Sequence, residues 1–355
     1  CYKQSLKIKP DSANAYNNIG YCFSEMGNQK AAIGSFKQAL LIKPGFTEVH
    51  YNLGLALFSV GDLSGSVESY NEALLLEPNH VGALNNMGIV LHGQGKIEEA
   101  IESYNKAILN NPDAASTYYN LGNALNDMCE IDSSIASFKK ALEIKPNYAA
   151  AAFNLSSLTT SISESKSWVE NCLQHDPLRP DAKLLLAALK FYEGDKSNFN
   201  ELRDSQLKGH PFMRSLEWVF SLPNLPELHF NKFYFFDAIV KKSITSKPFY
   251  EFGVFRASSF KYLIKFFKKG YGFDTFTGLP EDWNVGSHIE KKGAYSGDGN
   301  VPSIKGGEFI VGKFEDTLPG FFSESRPMAS VINFDADLYS STICALNFSK
   351  PVMDK

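Results

Sequence analysis

The chain has 355 residues, 44% hydrophobic and 21% charged, with a formal net charge of −4. That length supports two or three domains with cores of their own, and nothing in the composition is basic enough to suggest nucleic acid, which needs a stripe of Lys and Arg. No apolar run reaches the ~18 residues of a membrane span, so neither nucleic acid nor a membrane is expected as a partner. The five cysteines, Cys1, Cys22, Cys129, Cys172 and Cys344, are odd in number and lack metal-ligand spacing. They read as reduced thiols in a cytoplasmic protein.

From the N-terminus, a proline recurs every 34 residues, at Pro10, Pro44, Pro78, Pro112 and Pro146. Repeats set at 13–46, 47–80, 81–114 and 115–148 carry glycine at the eighth position (Gly20, Gly54, Gly88, Gly122). The twenty-fourth position is aromatic (Phe36, Tyr70, Tyr104, Phe138) and the twenty-seventh is alanine (Ala39, Ala73, Ala107, Ala141). Small residues let two helices approach, and the aromatic ring fills the gap between them. Gly27-Asn28, Gly61-Asp62 and Gly95-Lys96 divide each unit into two helices, and the proline ends the second. This pattern resembles the tetratricopeptide repeat. A fifth, shorter unit is expected at 149–179 with Pro177 as its stop, and a capping helical pair at 181–207.

The sixth position is asparagine in every unit: Asn18, Asn52, Asn86, Asn120 and Asn154. On the first helix of each repeat these amides would line the concave groove, where an amide's donor and acceptor match the backbone of an extended peptide. The column resembles the repeat array of O-linked N-acetylglucosamine transferases and implies a protein or peptide partner in the groove. The other reading, equally open, is that each Asn bonds a neighbouring helix and stabilises the superhelix. Glycosyltransfer itself is suggested by the repeat type alone, since the C-terminal half lacks the two-domain length that chemistry needs.

Both ends read as interrupted. Tyr2 to Pro10 matches the second half of a repeat, Phe36 to Pro44, and the chain stops at Lys355 without domain closure. The period is lost from 208 to 248, where helices are expected at 212–221 and 227–245. The second is strongly aromatic and reads as packed on the following domain.

Four short apolar runs follow, Phe249–Gly253, Tyr271–Phe273, Glu308–Val311 and Ser330–Phe334, with a helix expected over Ser259–Lys269. Strands alternating with helical crossovers are the parallel α/β plan, in which ligands bind beyond the carboxyl ends of the strands. Glu251 and Gly253 end the first run, with Ala257, Ser258 and Ser259 opening a helix. Asp274 ends the second run at the spacing of an acid that holds ribose hydroxyls, or else serves a turn before Thr275. Asp335 and Asp337, two residues apart past the fourth run, can reach one site, or else cap the helix before Ser340. The Gly-rich stretch 283–307 (Gly286, Gly293, Gly297, Gly299, Gly306, Gly307) reads as a lid, with Trp283 and His288 as candidate substrate contacts.

Four strings carry a second resemblance: Glu251 to Ser259, Gly272 to Trp283, Phe314 to Pro319, and Asp335-Ala336-Asp337-Leu338-Tyr339-Ser340-Ser341-Thr342. Over about residues 228–355 the chain looks like the macrocin O-methyltransferase family of class I methyltransferases. The resemblance implies S-adenosylmethionine as cofactor, held by Glu251, Gly253, Phe255 and Ser258 at its amino-acid end and by Asp274 at its ribose. It also implies Mg²⁺ on Asp335 and Asp337, which would serve as the catalytic pair for a hydroxyl on a small-molecule or glycan acceptor. Methyl transfer is an in-line displacement that needs positioning and an ionised oxygen, and hard carboxylates with Mg²⁺ suit that task.

Two departures stand against this. The family carries glycine where this chain has Ala257, whose methyl either crowds the cofactor or shifts the turn. The family sheet has seven strands in the order 3-2-1-4-5-7-6, and this chain is expected to stop after the fourth, without the acidic pair of the fifth. The expected fold is an all-α solenoid over 1–207, a connection over 208–226, and a partial α/β Rossmann-like methyltransferase domain over 227–355. The expected function is O-methyl transfer with a recruiting repeat domain; the alternative is an interaction scaffold carrying an inactive remnant.

Overall fold

The computed structural model of the chain describes residues 11–284, 289–290, 292–293, 299–335 and 339–353. The chain divides into two compact units, Cys1–Pro146 and Asn147–Lys355. The half-repeat expected at 2–10 lies outside the described residues.

In the first unit the described residues form four helical pairs. These are α1 (Ala13–Glu25) with α2 (Gln29–Ile42), α3 (Thr47–Ser59) with α4 (Leu63–Leu76), α5 (Val81–Gly93) with α6 (Ile97–Asn110), and α7 (Ala115–Asp127) with α8 (Ile131–Ile144). Their boundaries follow from local chemistry. Ser12, Asn28 and Asp62 cap helix N-termini by accepting the N–H group three residues on. The turns within pairs need left-handed backbone, supplied by Gly27, Gly61 and Gly95 at φ 74°, 83° and 78°. In the fourth repeat Cys129 holds that place at φ 64°, a conformation that disfavours a side chain.

The glycine-aromatic pairing works as the sequence suggests. A Cβ on Gly20, Gly54, Gly88 or Gly122 would lie 2.6, 2.5, 2.4 or 2.7 Å from the ring of Phe36, Tyr70, Tyr104 or Phe138. Ala39, Ala73, Ala107 and Ala141 are fully buried beside those rings. In the second and fourth repeats a buried serine adds a tie, Ser66 and Ser134 donating to the Gly54 and Gly122 carbonyls at 2.9 and 2.7 Å.

The second unit begins with α9 (Ala149–Ser156), α10 (Ile162–His175), α11 (Pro180–Tyr192) and α12 (Ser197–Arg203). Pro177 follows the end of α10, and Pro180 opens α11 as a first-turn proline. α13 (Pro211–Phe220) joins α11 and α12 through a core of Leu184, Phe191, Phe199, Met213 and Leu216. The next helix, α14 (Lys232–Lys242), is shorter than the expected 227–245, because Asn231 leaves the helix to cap it, accepting the Phe233 N–H at 2.8 Å. Its aromatic face packs as expected, Phe233 and Phe236 lying against Tyr262.

The sheet strands are β1 (Phe249–Phe252), β2 (Gly270–Asp274), β5 (Gly307–Val311) and β6 (Val331–Phe334), with a two-residue antiparallel ribbon, β3 (Trp283–Asn284) and β4 (Ile289–Glu290), between β2 and β5. All pairs in the main sheet are parallel, in the order β5-β2-β1-β6. In chain order these are the third, second, first and fourth strands of that sheet. One face carries stacked rings, Phe252 between Phe273 and Phe334 with centroids at 4.6 and 5.2 Å. It packs on α16 (Phe314–Phe322) and α17 (Tyr339–Ser349). The opposite face holds Phe249 against Phe260 of α15 (Ser258–Leu263).

Two expectations change here. α15 ends at Leu263 rather than Lys269, because the Phe266 N–H turns back to the Leu263 carbonyl and brings Phe267 against Phe249. The stretch 283–307 contains the β3–β4 ribbon rather than only loop, and its backbone returns to the chain before it through Gly293 to Leu279 and Gly299 to Phe276.

Candidate functional site

The sheet order reverses at β1, so the crevice beyond the carboxyl ends of β1 and β6 is the topological switch point, where open parallel sheets bind ligands. Two residues face each other there. Glu251 on β1 and Asn333 on β6 are register partners, and Asn333 Nδ2 donates to Glu251 Oε1 at 2.9 Å. Glu251 is 1% exposed, and its Oε2 is buried without a hydrogen-bond partner among the described residues. Burial is the main force on its acidity, and the charges of Asp335 and Asp274 act in the same direction. Asn333 and Lys232 oppose them, and the result is pushed up to about 8.

Past β1 the backbone alternates in handedness, with Gly253, Phe255 and Ala257 at φ 90°, 47° and 60°. Such alternation turns successive N–H groups toward one point and makes an anion-binding concavity. Its anion is the side chain of Asp274: Val254 N and Phe255 N both donate to Oδ2 at 2.8 Å. Oδ1 accepts the Phe276 N–H at 2.7 Å, so the turn role weighed for this residue is realised. Ala257 is wholly buried at the entry of α15, so its methyl sits inside the turn.

The structure thus gathers Glu251, Gly253, Phe255, Ser258, Asp274 and Asp335 along one sheet edge. Asp335 is exposed at the end of β6, its N–H donating to the Phe252 carbonyl at 2.8 Å. Asp337, its expected partner, lies outside the described residues, as do His288 and the side chain of Trp283. Among the described residues no three His, Cys, Asp or Glu side chains gather to hold a metal. Two residues without a role in the sequence reading join the site. Asn333 stands in a quoted string but shows its role only through register, and Lys232 reaches Ser258 from α14, Nζ donating to Oγ at 3.2 Å.

The asparagine column is separate. In the first unit Asn18, Asn52, Asn86 and Asn120 are half-buried on the first helix of each pair. Asn52 Nδ2 donates to Asn17 Oδ1 at 3.2 Å, Asn86 Nδ2 to the Tyr51 hydroxyl at 3.3 Å, and Asn120 Nδ2 to Asn85 Oδ1 at 3.1 Å. Each of these three amides therefore bonds the preceding repeat. A second N–H on each remains beyond that bond, because an amide carries two. Asn154 stands on α9 in the second unit, half-buried.

Residues 47–80, 115–148, 1–34 and 69–102 match the tetratricopeptide repeat, and residues 90–128 match a TPR repeat description. Residues 47–80 and 115–148 are the frames set by the proline period. The helical pairs are tetratricopeptide repeats. Among solved structures, PilF of Pseudomonas aeruginosa is similar at 21% identity, covering 58% of this chain and 96% of its own, with a TM-score of 0.52. PilW, a type IV pilus biogenesis factor, is similar at 16% identity over 58% of this chain and 98% of its own, also with a TM-score of 0.52. At these identities the likeness concerns the repeat fold alone. No curated protein matches the chain. Tetratricopeptide arrays bind protein or peptide partners, and no helix among the described residues is long and apolar enough to cross a membrane.

Proposed function

We propose that this chain joins a peptide-recruiting tetratricopeptide array to an α/β unit that binds S-adenosylmethionine and transfers its methyl group to a hydroxyl of a sugar or natural-product-like acceptor. The observation that carries the reading is the parallel sheet in third-second-first-fourth order with the buried Oε2 of Glu251 left without a hydrogen-bond partner among the described residues at its switch point. That order is the one the methyltransferase resemblance implies for its first four strands.

The residues present fit the cofactor. The buried Oε2 of Glu251 is an acceptor for its amino-acid end, and the turn Gly253–Ser258 lets backbone approach it. Asp274 spends three of a carboxylate's roughly four lone-pair sites on backbone N–H groups, which leaves one for a ribose hydroxyl. S-adenosylmethionine, when bound, supplies an electrophilic methyl on a sulfonium. Asp335, exposed at the end of β6, accepts the proton of the acceptor hydroxyl. One described aspartate is not a metal cage, so no step is assigned to Mg²⁺. In the array, the half-buried Asn18, Asn52, Asn86 and Asn120 offer the remaining amide groups to an extended polypeptide.

One observation favours the scaffold reading, in which the α/β unit does no chemistry: the anion-binding turn is already filled by Asp274 itself. Calorimetric titration with S-adenosylhomocysteine separates the two. Saturable binding that excess ATP does not displace is expected; the absence of binding to a folded protein would leave the repeat array as the functional part.

A further inference from the structure

The twenty-ninth place of the first three repeats is leucine, Leu41, Leu75 and Leu109, and Glu143 takes that place in the fourth. These leucines are 74%, 75% and 82% exposed. Repeats stand on both sides of Leu75, so stacking of the array does not cover this surface. Leu41 lies on the outer face of α2 and Leu75 on that of α4, away from the buried Phe36, Ala39, Tyr70 and Ala73. Leu76 reaches back to the turn after α2, 3.8 Å from where a Cβ on Gly45 would lie, so the apolar surface bridges the two repeats. The charges beside it differ in sign. α2 exposes Lys30 and Lys37, whereas α4 exposes Glu68 and Glu72. None of the four joins an ion pair among the described residues, while Glu102 pairs with Lys106 on α6 and Lys140 with Glu143 on α8. An apolar patch rimmed by charge marks a contact surface.

We propose that the outer faces of α2 and α4 form a two-fold interface between two copies of this chain, Leu41 of each packing on the partner's Leu75. A two-fold interface must be complementary to itself, and this patch has two halves of like shape and opposite charge. An axis running along the helices between α2 and α4 sets α2 of one copy on α4 of the other. Because the two helices share one repeat frame, the leucines then meet in register, with Lys30 and Lys37 facing the partner's Glu68 and Glu72. Other pairings are repelled. α2 on α2 opposes lysine to lysine, and α4 on α6 brings Glu68 and Glu72 against Glu98 and Glu102. Each helix has 14 residues. At about 21 Å in length and about 10 Å between axes, the two give roughly 400 Å² per copy. That is the low end of specific interfaces, so a reversible dimer dissociating at about 10–100 μM is expected. The asparagine column lies on the first helices, outside the contact, so a dimer presents two open grooves to one polypeptide.

Sedimentation equilibrium of the full chain over about 1–200 μM tests this. Wild-type protein should pass from monomer to dimer across that range, and more weakly at high salt. Leu41→Glu combined with Leu75→Glu should weaken association by more than about 100-fold. Both positions are exposed, so the thermal melt of that variant should match the wild type. Leu109→Glu, on the equivalent face of α6, should leave association within about twofold. Lys37→Glu alone and Glu72→Lys alone should each weaken self-association about 10-fold, because symmetry applies each reversal twice. An equimolar mixture of those two variants pairs every reversed charge with its opposite and should regain the dimer. Protein that stays monomeric throughout, a dimer that survives the paired leucine substitution, or a mixture no better than either variant alone would overturn the proposal.

Discussion

The Oδ2 atom of Asp274 accepts the backbone N–H of Phe255 at 2.8 Å, across the junction of two parallel strands. With the bonds to Val254 and Phe276, one carboxylate holds a turn in which Phe255 and Phe276 both carry positive φ, 47° and 56°. Left-handed backbone at such residues costs about 1–3 kcal/mol each and persists only when its surroundings impose it. Asp274→Ala should therefore destabilise the second unit by about 3 kcal/mol, as three part-buried N–H groups lose a charged acceptor. All three tryptophans, Trp168, Trp218 and Trp283, lie within Asn147–Lys355, so fluorescence-detected urea unfolding reads that unit. An unchanged midpoint would show that the carboxylate does not hold the turn.

Ala257 stands at φ 60° with no exposed surface. Ala257→Gly should stabilise the same unit by about 1 kcal/mol, because a left-handed alanine costs roughly 1–2 kcal/mol and the added chain entropy of glycine takes back part of that. The midpoint should rise in the same fluorescence measurement.

Glu251 predicts a pH dependence. Its folded value lies above its unfolded one, so between 4.5 and about 8 the folded state holds the extra proton. Its contribution is fully present below the lower value and is lost as pH rises through the upper one. The melting temperature of the wild-type unit should fall across that window more than that of Glu251→Gln, which cannot ionise. Parallel curves would mean that Glu251 titrates normally.

In the repeats, Gly88→Ala places a methyl 2.4 Å from the Tyr104 ring and should cost about 1–3 kcal/mol through overpacking. Gly34→Ala, also within a helix but with nothing within 4 Å of the new Cβ, should instead gain about 1 kcal/mol from helix propensity. Thermal melts followed by circular dichroism should move in opposite directions.

The repeat fold was legible because each helix pair depends on residues within one 34-residue window. The glycine, aromatic and alanine columns face one another locally, and Cys129 occupies the glycine place of the fourth turn. The strands were legible as apolar runs, and the acids at their ends as positions. Which acid would be buried was not. Glu251 owes its environment to Asn333, 82 residues away, and parallel register has no local signature. Lys232 was hidden for the same reason, in a helix whose composition advertises only packing. The asparagine column shows the converse: its regularity was plain, but its bonds to the residue 35 positions earlier appear only when the repeats stack.

The column predicts a binding phenotype apart from stability. Replacing Asn52, Asn86 and Asn120 together with alanine removes three inter-repeat bonds and should cost about 1–3 kcal/mol in total. It should also weaken capture of a fluorescent random-peptide pool measured by anisotropy. A variant that loses stability but keeps capture would assign the column to the superhelix alone.

Hydrogen exchange of the full chain with and without saturating S-adenosylhomocysteine tests the central claim most directly. Added protection should concentrate in the backbone of 251–258 and 272–276, with the repeats of the first unit unchanged. No change at those two segments, or protection confined to the helical repeats, would contradict the assignment of a ligand to the switch point of the sheet.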